Sequence, residues 1–506
     1  MTRPAAPDPL GFLFAMPLSK SASADSLQRQ LYHRIKEAIL DGRLPAGSKI
    51  PSSRRLAEDL QVSRNTVLIA LEHPGAEGYM ASDRKATRVT QVAIHVAAPA
   101  QALPAPVTDV AVSRRLLGIQ PQAQRVDMGA ALRPGVPALS HFPLASWHSA
   151  LSRAIKTSLG SGLNYGNPAG HMALRTAIAR HLALSRGVRC EPAQVVLTEG
   201  AHEALGLCVR LLTNPGDTAW VEDPGYRGAK TAMSAGDLHI VPRPTDAQGM
   251  VFSARDWHVQ PPRLVYTTPS HQYPTGVVMS VARRLELIAH ARAHGAWIVE
   301  DDYDSEFRHS GEPVAAMQGL VADAPVVYVG SFSKTMFPSL RLGFLVLPEA
   351  LLSATQGSLR EMLRGGHVHE QLAMADFIES GHYARHLRKM RRLYRDRQAA
   401  LRQAITAHLP VPHTIEGGQC GMQITLCLPP AYRDADIVDA AQEHGIAPTP
   451  LSSLSLRKRP QDNGLVLGYG NTSAELFESS VRRLAQLMQV LHQQHAQGPS
   501  RLQRRG

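Results

Sequence analysis

The stretch that decides the fold is Ala324-Pro-Val-Val-Tyr-Val-Gly-Ser-Phe-Ser-Lys334, an apolar run that ends in two serines and a lysine. The apolar part predicts a buried strand, and α/β proteins place their ligands at the carboxyl ends of such strands. A lysine presented in this way can form a Schiff base with the aldehyde of pyridoxal 5′-phosphate (PLP). We therefore predict Lys334 as the catalytic Schiff-base residue and Ser331, Ser333 and Arg341 as cofactor contacts. A lone Ser-x-x-Lys also fits an ordinary exposed lysine, so the surrounding motifs must decide.

A second apolar strand upstream ends in a burst of carboxylates, Trp297-Ile-Val-Glu-Asp-Asp-Tyr-Asp304. Such a strand end can present Asp301 to the protonated pyridine nitrogen of PLP, which keeps the ring an effective electron sink. Tyr303 would then lie near the ring oxygen. The alternative is a solvated acidic loop that binds nothing.

Two further strand ends suit a cofactor. The apolar strand at residues 264–266 runs into a tight turn that contains Tyr273, the usual form of a loop at the edge of a site. Another strand is followed by Gly200, Ala201 and His202 at the start of a helix, where free amides bind phosphate. Four strand-end motifs in this order predict one shared site.

In these motifs the chain resembles the aminotransferase domain of the PLP-dependent fold-type I superfamily, over about residues 125–490. The segment Glu222-Asp-Pro-Gly-Tyr226 fits as well, and the resemblance implies that Tyr226 stacks on or flanks the cofactor ring. The sequence of the motif Asp301-Asp-Tyr-Asp-Ser-Glu-Phe307 is more similar to that of the MocR/GabR family of transcriptional regulators than to that of metabolic aminotransferases. The resemblance implies an α/β fold with a large α/β domain, a smaller α+β C-terminal domain and a head-to-tail homodimer.

The N-terminal part predicts a helix-turn-helix. Apolar residues at four-residue spacing indicate an amphipathic helix over residues 27–40. Ser52 or Ser53 caps a helix through Leu60, and Ser63 caps a second helix after a short turn. The first turn of a second helix with this spacing meets base edges in the major groove of DNA. A small helical bundle with polar caps is the alternative.

Residues 20–92 are similar to a GntR-type winged helix, with two departures. Pro74 predicts that the second helix ends near Glu72, and the wing turn at residues 82–87 lacks the family's Gly-x-Gly. The resemblance assigns contacts to double-stranded operator DNA to Arg54, Ser63, Arg64, Asn65 and Thr66.

Length and composition agree with several domains. A chain of 506 residues is too long for one core, and a Pro- and Ala-rich linker follows the first domain. The expected winged helix, linker, aminotransferase-like domain and disordered tail occupy residues 20–92, 93–124, 125–490 and 491–506. Four cysteines without zinc-type spacing predict no metal site and a reducing interior. Because no run approaches the ~18 apolar residues of a membrane helix, we expect a cytoplasmic protein with no membrane partner.

A formal net charge of +12 favours a polyanionic partner. Residues 385–402 carry eight basic side chains against the single Asp396. Two interpretations stay open, namely a second nucleic-acid surface and a solvated or dimer-facing helix, of which the second is the commoner.

One departure from the superfamily concerns the substrate carboxylate, which metabolic relatives hold with an arginine on a late strand. Alignment places Leu465 at that position and Gln423 where relatives tend to have histidine. The loss of a bidentate clamp predicts at most slow half-transamination. The sequence thus favours a PLP-dependent transcriptional regulator whose effector is PLP or an amine, and the alternative is an aminotransferase with a degenerate winged helix.

Overall fold

The computed structural model describes residues 18–19, 25–83, 86–91, 113, 115, 129–158, 160–309, 311 and 314–496. The chain divides into two compact units, Met1–Ala111 and Val112–Gly506. The division falls inside the stretch that composition predicted as a linker.

The N-terminal unit is a three-helix core with a small antiparallel sheet. Its elements are α1 (Leu27–Leu40), β1 (Lys49–Ile50), α2 (Ser53–Asp59), α3 (Arg64–Ala76), β2 (Met80–Ser82) and β3 (Thr87–Val89). Leu31 and Ile35 of α1 are fully buried, as the four-residue spacing predicted, and pack in one cluster with Leu56 and Val67 of the next two helices. The predicted helix-turn-helix is therefore confirmed.

The predicted end of α3 near Glu72 is wrong. The helix continues to Ala76 with Pro74 inside it. Pro74 lies only two residues before the helix end, so little of the helix follows the lost hydrogen bond and the ring clash that a proline causes, and its ring is buried.

The wing forms a hairpin without the family's glycines. Strands β2 and β3 pair antiparallel, with Ser82 opposite Thr87. Asp83 closes the turn twice, because its amide donates to the Ala86 carbonyl at 3.1 Å and its carboxylate accepts from the Ala86 amide at 2.7 Å. Arg84 and Lys85 lie outside the described residues.

The C-terminal unit contains a large α/β domain around an eight-stranded sheet of order β4-β11-β10-β9-β8-β5-β6-β7. The strands are β4 (Val195–Thr198), β5 (Thr218–Asp223), β6 (His239–Asp246), β7 (Gly249–Met250), β8 (Leu264–Thr267), β9 (Trp297–Asp302), β10 (Val326–Ser331) and β11 (Gly343–Val346). The helices are α4 (Leu144–Thr157), α5 (Met172–Arg186), α6 (Ala201–Leu212), α7 (Arg227–Ala235), α8 (Ala254–Val259), α9 (Val281–His294), α10 (Glu349–Met362) and α11 (Val368–Glu379). Neighbouring strands from β10 to β6 run parallel, so their carboxyl ends meet at one edge of the sheet.

The smaller C-terminal domain packs helices against a second, four-stranded antiparallel sheet of order β12-β13-β15-β14. The elements are α12 (His382–His408), β12 (Thr414–Glu416), β13 (Gln423–Cys427), α13 (Asp434–Gln442), β14 (Thr449–Pro450), β15 (Gly464–Gly468) and α14 (Phe477–Ala496). The predicted fold class is thereby confirmed.

The predicted start of the C-terminal tail needs correction. Helix α14 continues to Ala496, six residues beyond the boundary placed after residue 490, because Leu491 still packs against the core and His492 stacks on Tyr432. Residues 497–506 lie outside the described part of the chain. Among the described residues, none of the helices is long and apolar enough to cross a membrane.

Candidate functional site

The four strand-end motifs come together at one edge of the large sheet. The first residue of β11, Gly343, pairs with Ser331 on one side and with Thr198 on the other. The carboxyl ends of β10 and β4 are thus separated by a single strand. Since Asp302 pairs with Gly330, the acidic end of β9 lies on the other side of β10.

Lys334 follows β10 and points back toward the start of the C-terminal unit. Its Nζ atom donates a hydrogen bond to the Gly135 carbonyl at 2.5 Å. Burial lowers the pKa of Lys334, the negative charges of Asp304 and Asp301 oppose that shift, and the positive charge of Arg133 adds to it. The lysine is therefore held nearer to its unprotonated form, which is the nucleophilic one.

Asp301 is a buried carboxylate with one unused oxygen. Its Oδ2 atom accepts a hydrogen bond from the Tyr266 hydroxyl at 2.7 Å, whereas Oδ1 has no partner among the described residues. Burial raises the pKa of Asp301 to about 7, although the Tyr266 hydrogen bond opposes the shift. Oδ1 is thus an acceptor that suits a protonated ring nitrogen. Sequence reasoning missed Tyr266, whose only signal was a phenol within an aliphatic strand.

The next carboxylate along β9 has the opposite character. Asp302 accepts hydrogen bonds from the Arg186 guanidinium and the Tyr328 hydroxyl, both at 2.7 Å. Burial alone would raise the pKa of Asp302, but the Arg186 charge and these hydrogen bonds lower it below its usual value. Asp302 therefore joins β9 to α5 and offers nothing to a ligand.

The turn at Gly200 forms a cradle for an anion. Gly200 has φ +87°, and no side chain caps the helix α6 that follows, so the amides of Ala201 and His202 lead the helix unshielded. A Cβ atom at Gly200 would lie 3.9 Å from Nη1 of Arg341, which places the guanidinium beside the turn.

Two serines complete the rim of this cradle. The Ser331 hydroxyl accepts from the Ser333 amide at 3.2 Å and donates to the Ser333 hydroxyl at 3.1 Å. Both hydroxyls thus lie together at the carboxyl end of β10.

The predicted ring contacts form a chain of aromatic side chains. Ring centroids are 6.4 Å apart for His202 and Tyr226, 6.0 Å for Tyr226 and Tyr273, and 6.0 Å for Tyr273 and Tyr303. Burial raises the pKa of Tyr226 to about 12, so its hydroxyl stays protonated near neutral pH. The four rings provide flat surfaces beside Asp301 on which a ring could stack.

A buried dyad, which the sequence did not reveal, supports Tyr303. Nδ1 of His271 lies 2.8 Å from Oδ1 of Asp304 and 2.9 Å from the Tyr303 hydroxyl. Burial raises the pKa of Asp304, and the adjacent His271 opposes that shift. The ligand atoms of His271, Asp304 and Cys420 all lie within 4.8 Å of one another. Residues far apart along the chain build this group, so no local spacing signals it.

Leu465, which alignment placed at the substrate-carboxylate position, does not face the cofactor edge. Leu465 is buried in the core with the helices of the small domain, because it shares a face of the sheet with Leu426. Val466 shares the opposite face with Thr425, whose hydroxyl donates to the Pro274 carbonyl beside Tyr273. The strand still offers a hydrocarbon rather than an arginine at this place.

One buried polar side chain lies on this face, and the backbone of Arg133 passes beside it. Gln423 is buried, and its Nε2 atom lacks a partner among the described residues. It pairs with Gly468, where a Cβ atom would lie 2.1 Å from the Arg133 carbonyl. Arg133, whose charge acts on Lys334, is a cation that sequence reasoning missed.

The predicted DNA contacts lie at the start of α3 and in α2. The Ser63 hydroxyl accepts from the Thr66 amide at 3.1 Å and lies 2.8 Å from its hydroxyl, so both side chains form the helix cap. Arg54, Arg64 and Asn65 are exposed, and Arg64 Nε donates to the Ser53 hydroxyl at 3.3 Å. The exposed three are the side chains available to a duplex.

Comparison with known families matches both units. Residues 27–89 match the bacterial regulatory proteins of the gntR family. Residues 135–464 match the aminotransferase class I and II family.

Relatives with both parts cover nearly the whole chain. It is 37% identical over 463 residues to the probable rhizopine catabolism regulatory protein MocR of Rhizobium meliloti, covering 90% of this chain and 93% of that one. It is 30% identical to the HTH-type pyridoxine biosynthesis transcriptional regulator PdxR of Corynebacterium glutamicum, over 88% of this chain and 92% of the relative.

Solved structures resemble the C-terminal unit. The multiple substrate aminotransferase of Thermococcus profundus matches with a TM-score of 0.68 at 25% identity, covering 76% of this chain and 98% of the enzyme. LysN, an alpha-aminoadipate aminotransferase of Thermus thermophilus complexed with N-(5′-phosphopyridoxyl)-L-leucine, matches with a TM-score of 0.66 at 26% identity. It covers 75% of this chain and 97% of the enzyme.

Proposed function

Because the chain belongs to the MocR-type family of helix-turn-helix transcriptional regulators, which join a gntR domain to an aminotransferase class I and II domain, we propose that it binds operator DNA and responds to PLP. The winged helix of residues 27–89 is called the reader below. Relatives named as transcriptional regulators align with about nine tenths of the chain, which is more than the whole C-terminal unit. That extent favours the regulator over an aminotransferase with a degenerate winged helix.

The observation that carries the cofactor proposal is the unused Oδ1 atom of Asp301. A buried carboxylate oxygen without a donor is costly unless a ligand supplies one. The edge that holds Asp301 also holds Lys334, whose pKa is lowered, and the Gly200 turn beside Arg341. These groups fit the three polar parts of PLP, namely the ring nitrogen, the aldehyde and the phosphate.

Each residue has a defined task toward such a group. When bound, PLP supplies an aldehyde that condenses with amines and a ring that accepts electrons. Asp301 would accept a hydrogen bond from the protonated ring nitrogen. Arg341 and the α6 amides would hold the phosphate dianion. Lys334, kept nearer to its neutral form, provides the amine that anchors the aldehyde. Tyr303, fixed by His271, would donate to the ring oxygen.

The ligand that the regulator senses is PLP itself or an amine. On the face of the small sheet that looks toward Pro274, Val466 and Gln423 carry no charge that could clamp an α-carboxylate. An ordinary amino acid would therefore lack its usual orienting partner. This supports PLP or an amine as the effector.

The regulatory step is a ligand-biased equilibrium between conformations of a head-to-tail homodimer. A ligand shifts such an equilibrium only through a difference in affinity for the two states. Binding at Lys334 would change how two readers are presented to a repeated operator. Arg54, Arg64 and Asn65 would contact the duplex, while Ser63 and Thr66 would fix the start of the recognition helix.

Reconstitution with PLP and operator binding test the proposal together. We expect wild-type protein to turn yellow with PLP, and borohydride reduction followed by peptide mapping to leave the cofactor on Lys334. Lys334→Ala should abolish this adduct, whereas Lys156→Ala, at an exposed lysine of α4, should retain it. Footprinting on the upstream region of its own gene should give protection that changes with PLP. Absence of an adduct, or protection indifferent to PLP, would overturn the proposal.

A further inference from the structure

A groove along α12 is lined almost entirely by arginine. The groove has a volume of about 690 Å³, and its walls are built by Arg308, His309, Arg385, Arg388, Arg391, Arg392 and Arg395. Burial lowers the pKa of His309 to about 4, so this histidine is uncharged near neutral pH. The charge of the groove therefore comes from its arginines.

Few carboxylates compensate these charges. Arg391 lies 3.3 Å from Glu306 and Arg395 lies 3.5 Å from Asp396. Arg388 and Arg392 are exposed and make neither a hydrogen bond nor an ion pair within the described part of the chain.

Two more arginines of the groove lack a carboxylate partner. In the part of the chain that the structure describes, Arg385 hydrogen-bonds only to the Ser380 carbonyl and to His382. Arg308 leaves its Nε atom buried without a partner among the described residues. Within the described residues, four of the six arginines thus have no carboxylate partner.

The fold gains nothing from this arrangement. Arg388 and Arg392 are four residues apart on the same helix, and like charges at this spacing repel each other and destabilise the helix. The opposite face of α12 already anchors the helix through buried Leu387, Met390 and Tyr394. A cluster of uncompensated charge that packing does not require indicates a ligand.

We propose that this groove binds the sugar–phosphate backbone of DNA flanking the operator, an inference that rests on the proposed DNA-binding function. None of the described residues that line the groove has an apolar side chain, which disfavours an ordinary protein interface. DNA offers the opposite charge at high density and is already the partner of the reader.

The dimensions agree with a duplex. Arg385, Arg388, Arg392 and Arg395 follow one stripe of α12, and ten residues of helix span about 15 Å. Over that length a duplex carries about nine phosphate charges, at one per ~1.7 Å of its axis. The contact is independent of base sequence, since arginines on phosphates position a protein without reading it.

Salt dependence of operator binding by the full-length protein tests the groove. The variant is Arg385→Gln/Arg388→Gln/Arg392→Gln. A matched control removes three exposed arginines from other helices, Arg210→Gln/Arg255→Gln/Arg483→Gln. Each protein is titrated with an operator fragment that carries long flanks and with one trimmed to the region that the readers protect.

On the long fragment, the groove variant should lose about 2.7 from the slope of log K against log salt, at ~0.9 per phosphate contact. When salt rises fourfold, wild type should therefore lose about 40-fold more affinity for the long fragment than the groove variant loses. The slope on the trimmed fragment and both slopes of the control should stay as in wild type. Retained PLP binding shows that the variant is folded.

Three results would overturn the inference. A wild-type slope for the groove variant on the long fragment would remove the DNA contact while leaving the proposed function intact. A change in oligomeric mass of the groove variant by sedimentation would assign the groove to a second copy. Failure of wild type to bind either fragment would overturn the proposed function together with the groove.

Discussion

Asp301→Asn should stabilise the protein without its cofactor while weakening its hold on PLP. Burial raises the pKa of this carboxyl to about 7, against an ordinary value of 3.8. The folded state therefore binds a proton that the unfolded state releases between these two values. A group of this kind makes the free energy of unfolding fall as pH rises through that window.

The magnitude follows from the width of the window. About three pH units at 1.36 kcal/mol each give a cost of about 4 kcal/mol, absent below about pH 4 and complete above about pH 7. Asparagine has nearly the same shape, can still accept the Tyr266 hydrogen bond and carries no charge. The unfolding entropy is about 2.1 cal/mol/K per residue. For residues 129–496, a gain of ~4 kcal/mol therefore raises the melting temperature by ~5 °C.

The assay is thermal unfolding of cofactor-free protein from pH 4 to pH 8. Wild type and Asp301→Asn should coincide at pH 4 and separate toward pH 8, with the variant more stable. Asp302→Asn is the matched control, because it leaves Arg186 buried without its charge partner, at a cost of about 3–5 kcal/mol near neutral pH. Equal or lower stability of the Asp301 variant at pH 8 would refute the reasoning. Added PLP should stabilise wild type more than it stabilises Asp301→Asn.

Three other predictions follow from the site and the reader. Gly421→Ala should destabilise the protein more than Gly445→Ala in chemical unfolding, because both glycines have positive φ but only at Gly421 would a Cβ atom lie 2.3 Å from Asp304 Oδ2; equal losses would contradict this. Arg54→Ala/Arg64→Ala should weaken operator binding, and Arg64→Ala alone should relax sequence choice at a cost of about 1–3 kcal/mol, so unchanged affinity of the double variant would remove this DNA surface. Turnover over a panel of amino donors and keto acids should stay below about 1 per second, since strand β15 carries no arginine to orient the substrate, and metabolic rates would restore the aminotransferase interpretation.

The general position of the site could be predicted because parallel strands end at one edge of a sheet. Lys334, Asp301 and Gly200 each follow an apolar run, so their convergence needed only the strand assignments. Tyr266 and Arg133 could not be found in this way. Each acts through a partner that is distant along the chain, and single-sequence patterns carry no record of such pairs.

Two errors have a common physical origin. The run Gly464-Leu-Val-Leu-Gly468 is apolar on both faces, so hydrophobic alternation could not tell which residue looks toward the cofactor edge. The proline in α3 was judged by its cost in a helix interior, whereas only two helical residues follow Pro74 and little helix remains to be disrupted. In both cases a local rule was applied without knowing where the residue lies in the folded strand or helix, and that location decides how strongly the rule applies.

His309 gives the arginine groove and the cofactor edge a shared wall. It lines the groove, its Nε2 atom lies 2.8 Å from the Gly421 carbonyl, and Gly421 packs directly against His271 and Asp304. If an anion in the groove displaces this histidine, the cofactor pocket changes with it, and binding at the two sites becomes coupled. Thermodynamic reciprocity then requires DNA to change the affinity for PLP by the same factor by which PLP changes the affinity for DNA. The cellular level of one ligand would thus set the sensitivity of the protein to the other.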